Sequence, residues 1–423
     1  MLKKKINLDL NEKTESYIEK NIPSLKDPYL VSEAGEGAIQ IYSLDSTKAE
    51  YDAYCSKLAE MGFTFYTANA MNQTFSSTYY NEEIVVNVVF AGGDSHGVIG
   101  ETADRSLRIV AEPFSETSLP ELEKPEDADA KVTRSSITML DHWPNRIGRR
   151  WDRDGNMCFV IQLSSGHFIV IDANHRAIPE RDTAKIIYDY LIKMTPDGKP
   201  VIDSWIITHF HQDHMGGFID FCDNDEFIRN VTLKSVIYNF PCDRIMGKVW
   251  IVDKNNVDHF YGVQKKRMRE NGTVFYKART GQKYFFGNAE IEMLWTFEDI
   301  APHSEDIENR TNATCIGFSV TIEGQKIMIT GDSSTEEFKI ADIRYGEYLK
   351  SDMVQLAHHG YGDGNVPHDF YKHVNAPYVI CSGLGVEYGY GQAERWAKDN
   401  AVVYFLREAY GTCVIPLPYQ VRF

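Results

Sequence analysis

His209-Phe210-His211-Gln212-Asp213-His214 packs three imidazoles and a carboxylate into six residues of a chain that has only 13 histidines in 423. Neutral imidazole and carboxylate are natural donors for zinc, iron or manganese, so a bound metal is the first expectation. The preceding Trp205-Ile206-Ile207-Thr208 reads as the end of a buried strand whose rigid backbone would hold the donors. In extended backbone, side chains two apart face one side, so His209 and His211 would converge. Asp213 and His214 would sit on the following turn and serve a second ion, with Gly216-Gly217 relieving crowding as the chain turns away. The alternative is a solvated polar loop at a strand end.

Two later segments end in the same residue types. Ile327-Met328-Ile329-Thr330-Gly331-Asp332 is an apolar strand closing on Gly-Asp, and Val354-Gln355-Leu356-Ala357-His358-His359-Gly360 ends on a doubled histidine. Together with His-x-His-x-Asp-His, these segments resemble the metallo-β-lactamase superfamily. The resemblance implies a four-layer αββα sandwich and two divalent metal ions, zinc first, with manganese or iron open. It also implies that Asp332 bridges the ions and that the final His-Gly supplies a ligand. His359 is the first choice, and His358 stays open as a ligand, an orienting neighbour or a substrate contact. Asp172, which ends the run Phe168 to Ile171, would support the metal loop from behind the ligands.

A narrower likeness rests on Asn312-Ala313-Thr314, Thr330-Gly331-Asp332, His358-His359-Gly360 and Pro377-Tyr378-Val379-Ile380-Cys381-Ser382. These resemble the metallo-β-lactamase domain of the bacterial DNA-uptake competence proteins and related phosphodiesterases, including the phosphorylcholine esterases. The similarity runs from about residue 150 to the end. Many superfamily members place a further histidine between the first motif and Gly-Asp. Here only His259, in a helical pattern, and His303, in an acidic loop, fall in that interval, and Asn312 is the expected substitute.

What the resemblance implies is a metal-dependent hydrolase that uses a metal-activated water, most readily on a phosphodiester or related ester. Diiron flavoprotein relatives carry Glu where this chain has His211, and no flavin-binding segment is evident, which favours hydrolysis over redox chemistry. Asp213 and Asp332 are the catalytic candidates, and Asp213 could also take or return a proton. Tyr361, with Tyr388 and Tyr390 farther on, is a candidate for shaping a pocket that receives a ring or a choline-like cation. A lactone or β-lactam hydrolase, and a non-catalytic metal-binding or sensing protein on the same fold, are the other readings.

The formal charge of −17 repels polyanions and argues against dedicated nucleic-acid binding, leaving a small molecule or a short phosphodiester as the expected substrate. Arg146, Arg149, Arg150 and Arg153, and Lys265-Lys266-Arg267 with Arg269, are local basic runs that read as solvated surface or, alternatively, as phosphate-recognition patches. No apolar run approaches the roughly twenty residues of a membrane span, and the basic start lacks an apolar signal core, so a cytoplasmic protein without membrane contact is expected. Seven scattered cysteines, none in a Cys-x-x-Cys pair, indicate neither a disulfide framework nor a structural zinc site.

The elements that must position these residues fall in two parts. Residues 1–135 read as a small α+β accessory domain: a strand near Ile39 to Tyr42, a helix from Ala49 to Met61, further strands near Phe63, Glu83 to Phe90 and Leu107 to Val110 in an antiparallel sheet, then an acidic, proline-bearing linker from Pro113 to Asp129. That part gathers no catalytic residue types, and a docking or homo-oligomerisation role is expected of it. Residues 136–423 hold the hydrolase-like domain. There Cys158 to Leu163 and Phe168 to Ile171 form a hairpin, Ala184 to Met194 a helix, and later strands near Glu290, Ile316 and Lys326 alternate with helices at Thr335 to Tyr345 and Gln392 to Asp399.

Overall fold

The computed structural model describes residues 6–7, 18–25, 28, 30–93, 105–115, 119–123, 134–142, 157–178, 181–241, 251–300, 311–360, 368–383, 392–406 and 411–421. Tyr361, Tyr388, Tyr390, His303 and the arginines at 146, 149, 150 and 153 lie outside the described residues.

Two sheets stack face to face in the second part of the chain. Among the described residues, the first runs in the order Val274–Lys277, Ser235–Tyr238, Val201–Ile206, Phe168–Ile171, Phe159–Gln162, Ser136–Met139, Cys413–Pro416. Its first four members are parallel and the rest antiparallel. The second sheet runs Lys283–Phe286, Ala289–Trp295, Gly317–Ile322, Gln325–Ile329, Met353–Gln355, Tyr378–Cys381, Val403–Leu406, antiparallel up to Gln325–Ile329 and parallel beyond it.

Strand alternation builds three apolar layers. Phe159, Ile161, Ile169 and Ile171 turn inward against Ile291, Phe318, Val320, Ile327 and Ile329 of the opposing sheet. Their neighbours Val160, Phe168 and Val170 turn outward and pack with Trp205 against Ile187 and Leu191 of the helix Thr183–Met194 and Phe218 and Phe221 of the helix Gln212–Asp223. On the far side Met328, Val354 and Val379 pack against Phe338 and Ala341 of Thr335–Tyr345 and Phe370 of His368–Val374. Helix, sheet, sheet, helix is the four-layer order expected.

The N-terminal sheet orders its strands Ile6–Asn7, Leu30–Gly35, Ala38–Leu44, Ser106–Pro113, Ile84–Ala91, Thr74–Tyr80, Thr64–Met71, and the capped helix Lys48–Glu60 covers one face with Tyr51, Tyr54 and Leu58. It is joined to the sandwich by buried charges, which the sequence does not announce. Arg108 Nη1 lies 2.8 Å and Arg344 Nη1 2.6 Å from Asp299 Oδ1. Arg279 bridges Glu112 and Glu298, and Gln40 donates to the Glu298 carbonyl at 3.0 Å. The basic run at 265–269 divides: Lys265 is buried and pairs with Glu36, Arg267 is half-buried and pairs with Asp225, and Lys266 and Arg269 are exposed as a solvated face would be, Arg269 lying over the Phe275 ring. No helix among the described residues is long and apolar enough to cross a membrane.

Candidate metal centre

Five parallel strands of the two sheets end on the same side, where open α/β sheets place their sites. Asp172 follows Phe168–Ile171, His209 follows Val201–Ile206, Asp332 follows Gln325–Ile329, His358-His359 follow Met353–Gln355, and Ser382 follows Tyr378–Cys381. The donors, distant in sequence, converge in two groups: His209, His211 and Asp332, and Asp213, His214, Asp332 and His359, each with its ligand atoms within 4.8 Å of one another. Asp332 belongs to both.

Within the second group, Asp332 Oδ2 lies 3.1 Å from His214 Nε2 and 3.3 Å from His359 Nε2, and Asp213 Oδ2 lies 3.2 Å from His359 Nε2. In the first, the rings of His209 and His211 are 4.5 Å apart and His209 Nε2 is 4.0 Å from Asp332 Oδ2. His209 Nε2 and Asp332 Oδ1 are buried without a hydrogen-bond partner. Buried polar atoms are nearly always satisfied, so two such atoms facing a cluster of imidazoles and carboxylates fit a cation that supplies the missing bonds.

Geometry separates the doubled histidines. His359 enters the second group and its Nδ1 faces Ser382 Oγ at 3.1 Å, which fixes the ring. His358 stays outside both groups, with Nε2 3.8 Å from Asp332 Oδ2 and 3.5 Å from the Asn312 amide. Asn312 is thus at the site's edge, on the short helix Thr311–Thr314, and His211 Nε2 is bonded to Thr311 Oγ1 beside it. His259 is remote, paired with Asp223 at 3.0 Å.

The sequence reading of Asp213 and His214 as turn residues is corrected. They lie in the first turn of the helix Gln212–Asp223, with His211 as N-cap. Gly216 and Gly217 therefore serve packing and not a turn: an added Cβ would sit 2.3 Å from Arg176 N and 2.1 Å from Ala173 O. The close approach presses the segment after Asp172 onto the helix.

Asp172 is fully buried and does what a supporting carboxylate must. It accepts Thr208 N–H and Oγ1–H, both at 2.7 Å, and His214 Nδ1 lies 2.7 Å from its Oδ2. Holding Nδ1 aims Nε2 into the cluster. Asp172, Asn174, His358 and His359 all have left-handed backbone, with φ of 55°, 62°, 46° and 54°. For residues with a Cβ this costs on the order of 1 kcal/mol or more each, a strain that concentrates at functional sites.

The electrostatics divide the cluster. Burial holds the His209 imidazole well below its ordinary range and lowers His211 to about 4, leaving both neutral, the form that binds metal. For His214 burial works the same way but is outweighed by the carboxylates of Asp332, Asp172 and Asp213, and His359 is likewise raised by Asp332 and Asp213. Burial opposes ionisation of Asp213 and Asp332, yet the neighbouring imidazoles keep both carboxyls below their usual values.

The site opens to a cavity of about 680 Å³ lined by His211 and Asp213 together with His175, Arg176 and Arg181. Three residues beyond Asp172, His175 reads in the sequence either as lining the same face or as a surface histidine, and the structure places it on the cavity; Arg176 and Arg181 were not among the sequence's site candidates, and their place soon after Asp172 was the available signal.

No family model matches the chain, and no curated protein does. Solved structures that it is similar to include the metallo-beta-lactamase fold protein YhfI from Bacillus subtilis, at 12% identity and TM-score 0.39, covering 64% of this chain and 95% of that one. The diiron beta-hydroxylase CmlA from Streptomyces venezuelae gives 14% and 0.36, covering 73% of this chain and 55% of that one. Zn(2+)-bound PqqB from Methylobacterium extorquens gives 10% and 0.31, covering 52% and 71%. The layer order, the parallel strand ends and the shared aspartate of this chain's own structure make the fold that of the metallo-β-lactamases.

Proposed function

We propose that the protein is a metal-dependent hydrolase that acts on a phosphodiester or related ester, with two divalent cations, zinc or alternatively manganese or iron, held at the convergent donors. The observation that carries this is Asp332, whose carboxylate belongs to both donor groups at once. A scaffold has no physical use for so many desolvated donors around one point, since each costs free energy unless it is paired.

His209, His211 and Asp332 would hold one ion, and Asp213, His214, His359 and Asp332 the other. Divalent cations at such donors lower the pKa of water toward neutrality and neutralise charge that develops on an attacked phosphoryl or acyl group. The chain's own part is positional. Asp172 and Ser382 set the His214 and His359 rings, and the helix Gln212–Asp223 carries Asp213 to the cavity wall. Asp213, 24% exposed where His209 and His214 are fully buried, is the carboxylate placed to accept or return a proton at the cavity. No nucleophilic side chain is needed for this reaction. The cavity beside the donors favours turnover over a purely sensing role. Among the described residues, the N-terminal part, residues 1–135, contributes no donor, and we assign it an accessory role, in docking or homo-oligomerisation, beside the domain formed by 136–423.

Elemental analysis of purified protein, followed by assay on bis-p-nitrophenyl phosphate and a phosphorylcholine ester, tests the reading. Bound divalent metal with chelator-sensitive release of p-nitrophenol is the expected result. Metal-replete protein inert on phosphodiesters and on p-nitrophenyl acetate would overturn it.

A further inference from the structure

We propose that Gln355 is a positioning residue for the bound cations: its buried side-chain amide sets the distance between Asp332 and His359, and with it the affinity of the site that these two donors form with Asp213 and His214. This deepens the two-cation reading above and rests on it.

The strands that lead to these donors, Gln325–Ile329 and Met353–Gln355, are parallel neighbours, but their ladder is short, pairing Ile327 with Met353 and Met328 with Val354. Past it the chain turns sharply: Gly331, His358 and His359 all take left-handed φ, at 55°, 46° and 54°. Such backbone persists only where its surroundings over-determine it. Gln355, fully buried at the end of the second strand, takes over where the ladder stops. Its Oε1 accepts Thr330 N–H at 2.8 Å and the Thr330 hydroxyl at 2.9 Å. Its Nε2 donates to the Gly331 carbonyl at 3.0 Å and to the Leu356 carbonyl at 2.6 Å. One amide thus holds the backbone of both loops, immediately before Asp332 and shortly before the paired histidines.

The grip is tightest on the peptide group that begins Asp332. The Gly331 carbonyl takes Gln355 Nε2 and also His358 N–H, at 3.1 Å, and at the other end of the same planar peptide Asp332 N–H donates to Cys315 Sγ at 3.3 Å. On the second loop, Leu356 N–H donates to the Ile380 carbonyl at 2.8 Å, so that loop also starts from a fixed point. The chemistry asks for glutamine. One planar group must accept from two donors and give two N–H bonds to two carbonyls. Leucine of similar size supplies neither, and glutamate would set a carboxylate oxygen against both carbonyls. Donors held in place beforehand lose little freedom when they bind, so slackening them lowers affinity. The group of Asp213, His214, Asp332 and His359 takes two donors from the clamped loops, and the group of His209, His211 and Asp332 takes one. Loss of the clamp therefore weakens the first of these more.

The test compares full-length wild type, Gln355→Leu, Gln355→Glu and Thr330→Val, each checked for folding by circular dichroism and urea denaturation. Asp299→Ala, which breaks a buried ion pair away from the donors, is the control for lost stability alone. Competition with a chromophoric chelator reads zinc affinity, and the visible spectrum of the cobalt(II)-loaded protein reads the coordination. The expected result is one of two zinc ions bound about 10- to 100-fold more weakly in Gln355→Leu and Gln355→Glu, with a changed cobalt spectrum. Thr330→Val, which removes one hydroxyl and keeps the bond from Thr330 N–H, should lose about two- to tenfold. Asp299→Ala should keep wild-type affinity and spectrum. Affinity and spectrum equal to wild type in folded Gln355→Leu overturn the proposal. If neither Gln355 variant folds, the same result in Thr330→Val overturns it. Asp299→Ala weakened as much as Gln355→Leu would show that affinity merely follows stability, and overturns it too. A wild type that binds zinc but turns over no ester removes the hydrolase reading, and the affinities still decide the role of Gln355. A wild type that takes up no zinc or cobalt overturns both.

Discussion

Asp172 Oδ2 stands 2.7 Å from His214 Nδ1, and the same carboxylate takes both donors of Thr208. One buried group thus joins the end of one strand to the end of the next and to the first turn of the donor helix. Burial pushes the Asp172 carboxyl up, against the pull of His214 and of the Thr208 donors, so its retention in an apolar layer depends on those three bonds.

Asp172→Asn keeps the shape but loses the charge that orients His214. Metal affinity should fall about 10- to 100-fold, the usual cost of losing such a support, while the chain stays folded. Competition with a chromophoric chelator measures this. Affinity equal to wild type would mean that His214 is oriented by packing alone.

Asp332→Ala removes the donor common to both groups. Elemental analysis should find metal content reduced, and hydrolysis should fall about 10³-fold or more, since cations in such sites supply several kcal/mol and each 1.36 kcal/mol is tenfold. A wild-type circular dichroism spectrum is expected alongside. Unchanged turnover would remove the two-cation arrangement.

The structure brings together six donors, of which His209, His211, Asp213 and His214 were legible in the sequence as one motif, and Asp332 and His359 through what the resemblance to the metallo-β-lactamases implies. The helical state of Asp213 and His214 was not, because Gly216-Gly217 reads as a breaker until the contact with Ala173 and Arg176 is seen. The charges joining Arg108 and Arg344 to Asp299 were hidden for a related reason. Their partners lie far along the chain, and isolated charged residues carry no period or spacing that distinguishes a buried pair from a solvated face.

Gly217→Ala tests that packing directly. The new methyl would meet the Ala173 carbonyl at 2.1 Å, so either the helix or the Asp172 segment must move. A loss of about 1–3 kcal/mol is expected from overpacking alone, with metal affinity lowered as well because Asp172 and His214 move relative to each other. Urea denaturation and chelator competition give the two readings. A variant as stable as wild type would show that the segment after Asp172 is free to shift.

Asp299 is buried between Arg108 of the N-terminal sheet and Arg344 of the sandwich. Asp299→Ala leaves two buried guanidiniums without it, and breaking buried pairs in this way costs about 3–5 kcal/mol. Urea denaturation should show that loss, with metal content per folded molecule unaltered because the donors lie elsewhere. A cost below about 1 kcal/mol would show that the contact between the sheets is carried by other residues.

The same interface sets an acid limit. Burial works against ionisation of Glu298 and Asp299, but Arg279 and Lys277 for the first, and Arg108 and Arg344 for the second, hold both carboxyls below their ordinary 4.5 and 3.8. A carboxyl whose folded pKa is depressed stabilises fully above its unfolded pKa and loses that contribution as pH falls through the folded value. The urea midpoint should therefore be insensitive to these two groups from neutrality down to about pH 5 and drop with acid below about pH 4. Glu298→Gln should shrink the acid-dependent part of the fall while lowering the midpoint at neutral pH, since the charge paired with Arg279 is then missing. Wild type and Glu298→Gln losing stability in parallel between pH 5 and pH 3 would place the acid-sensitive groups somewhere other than this interface.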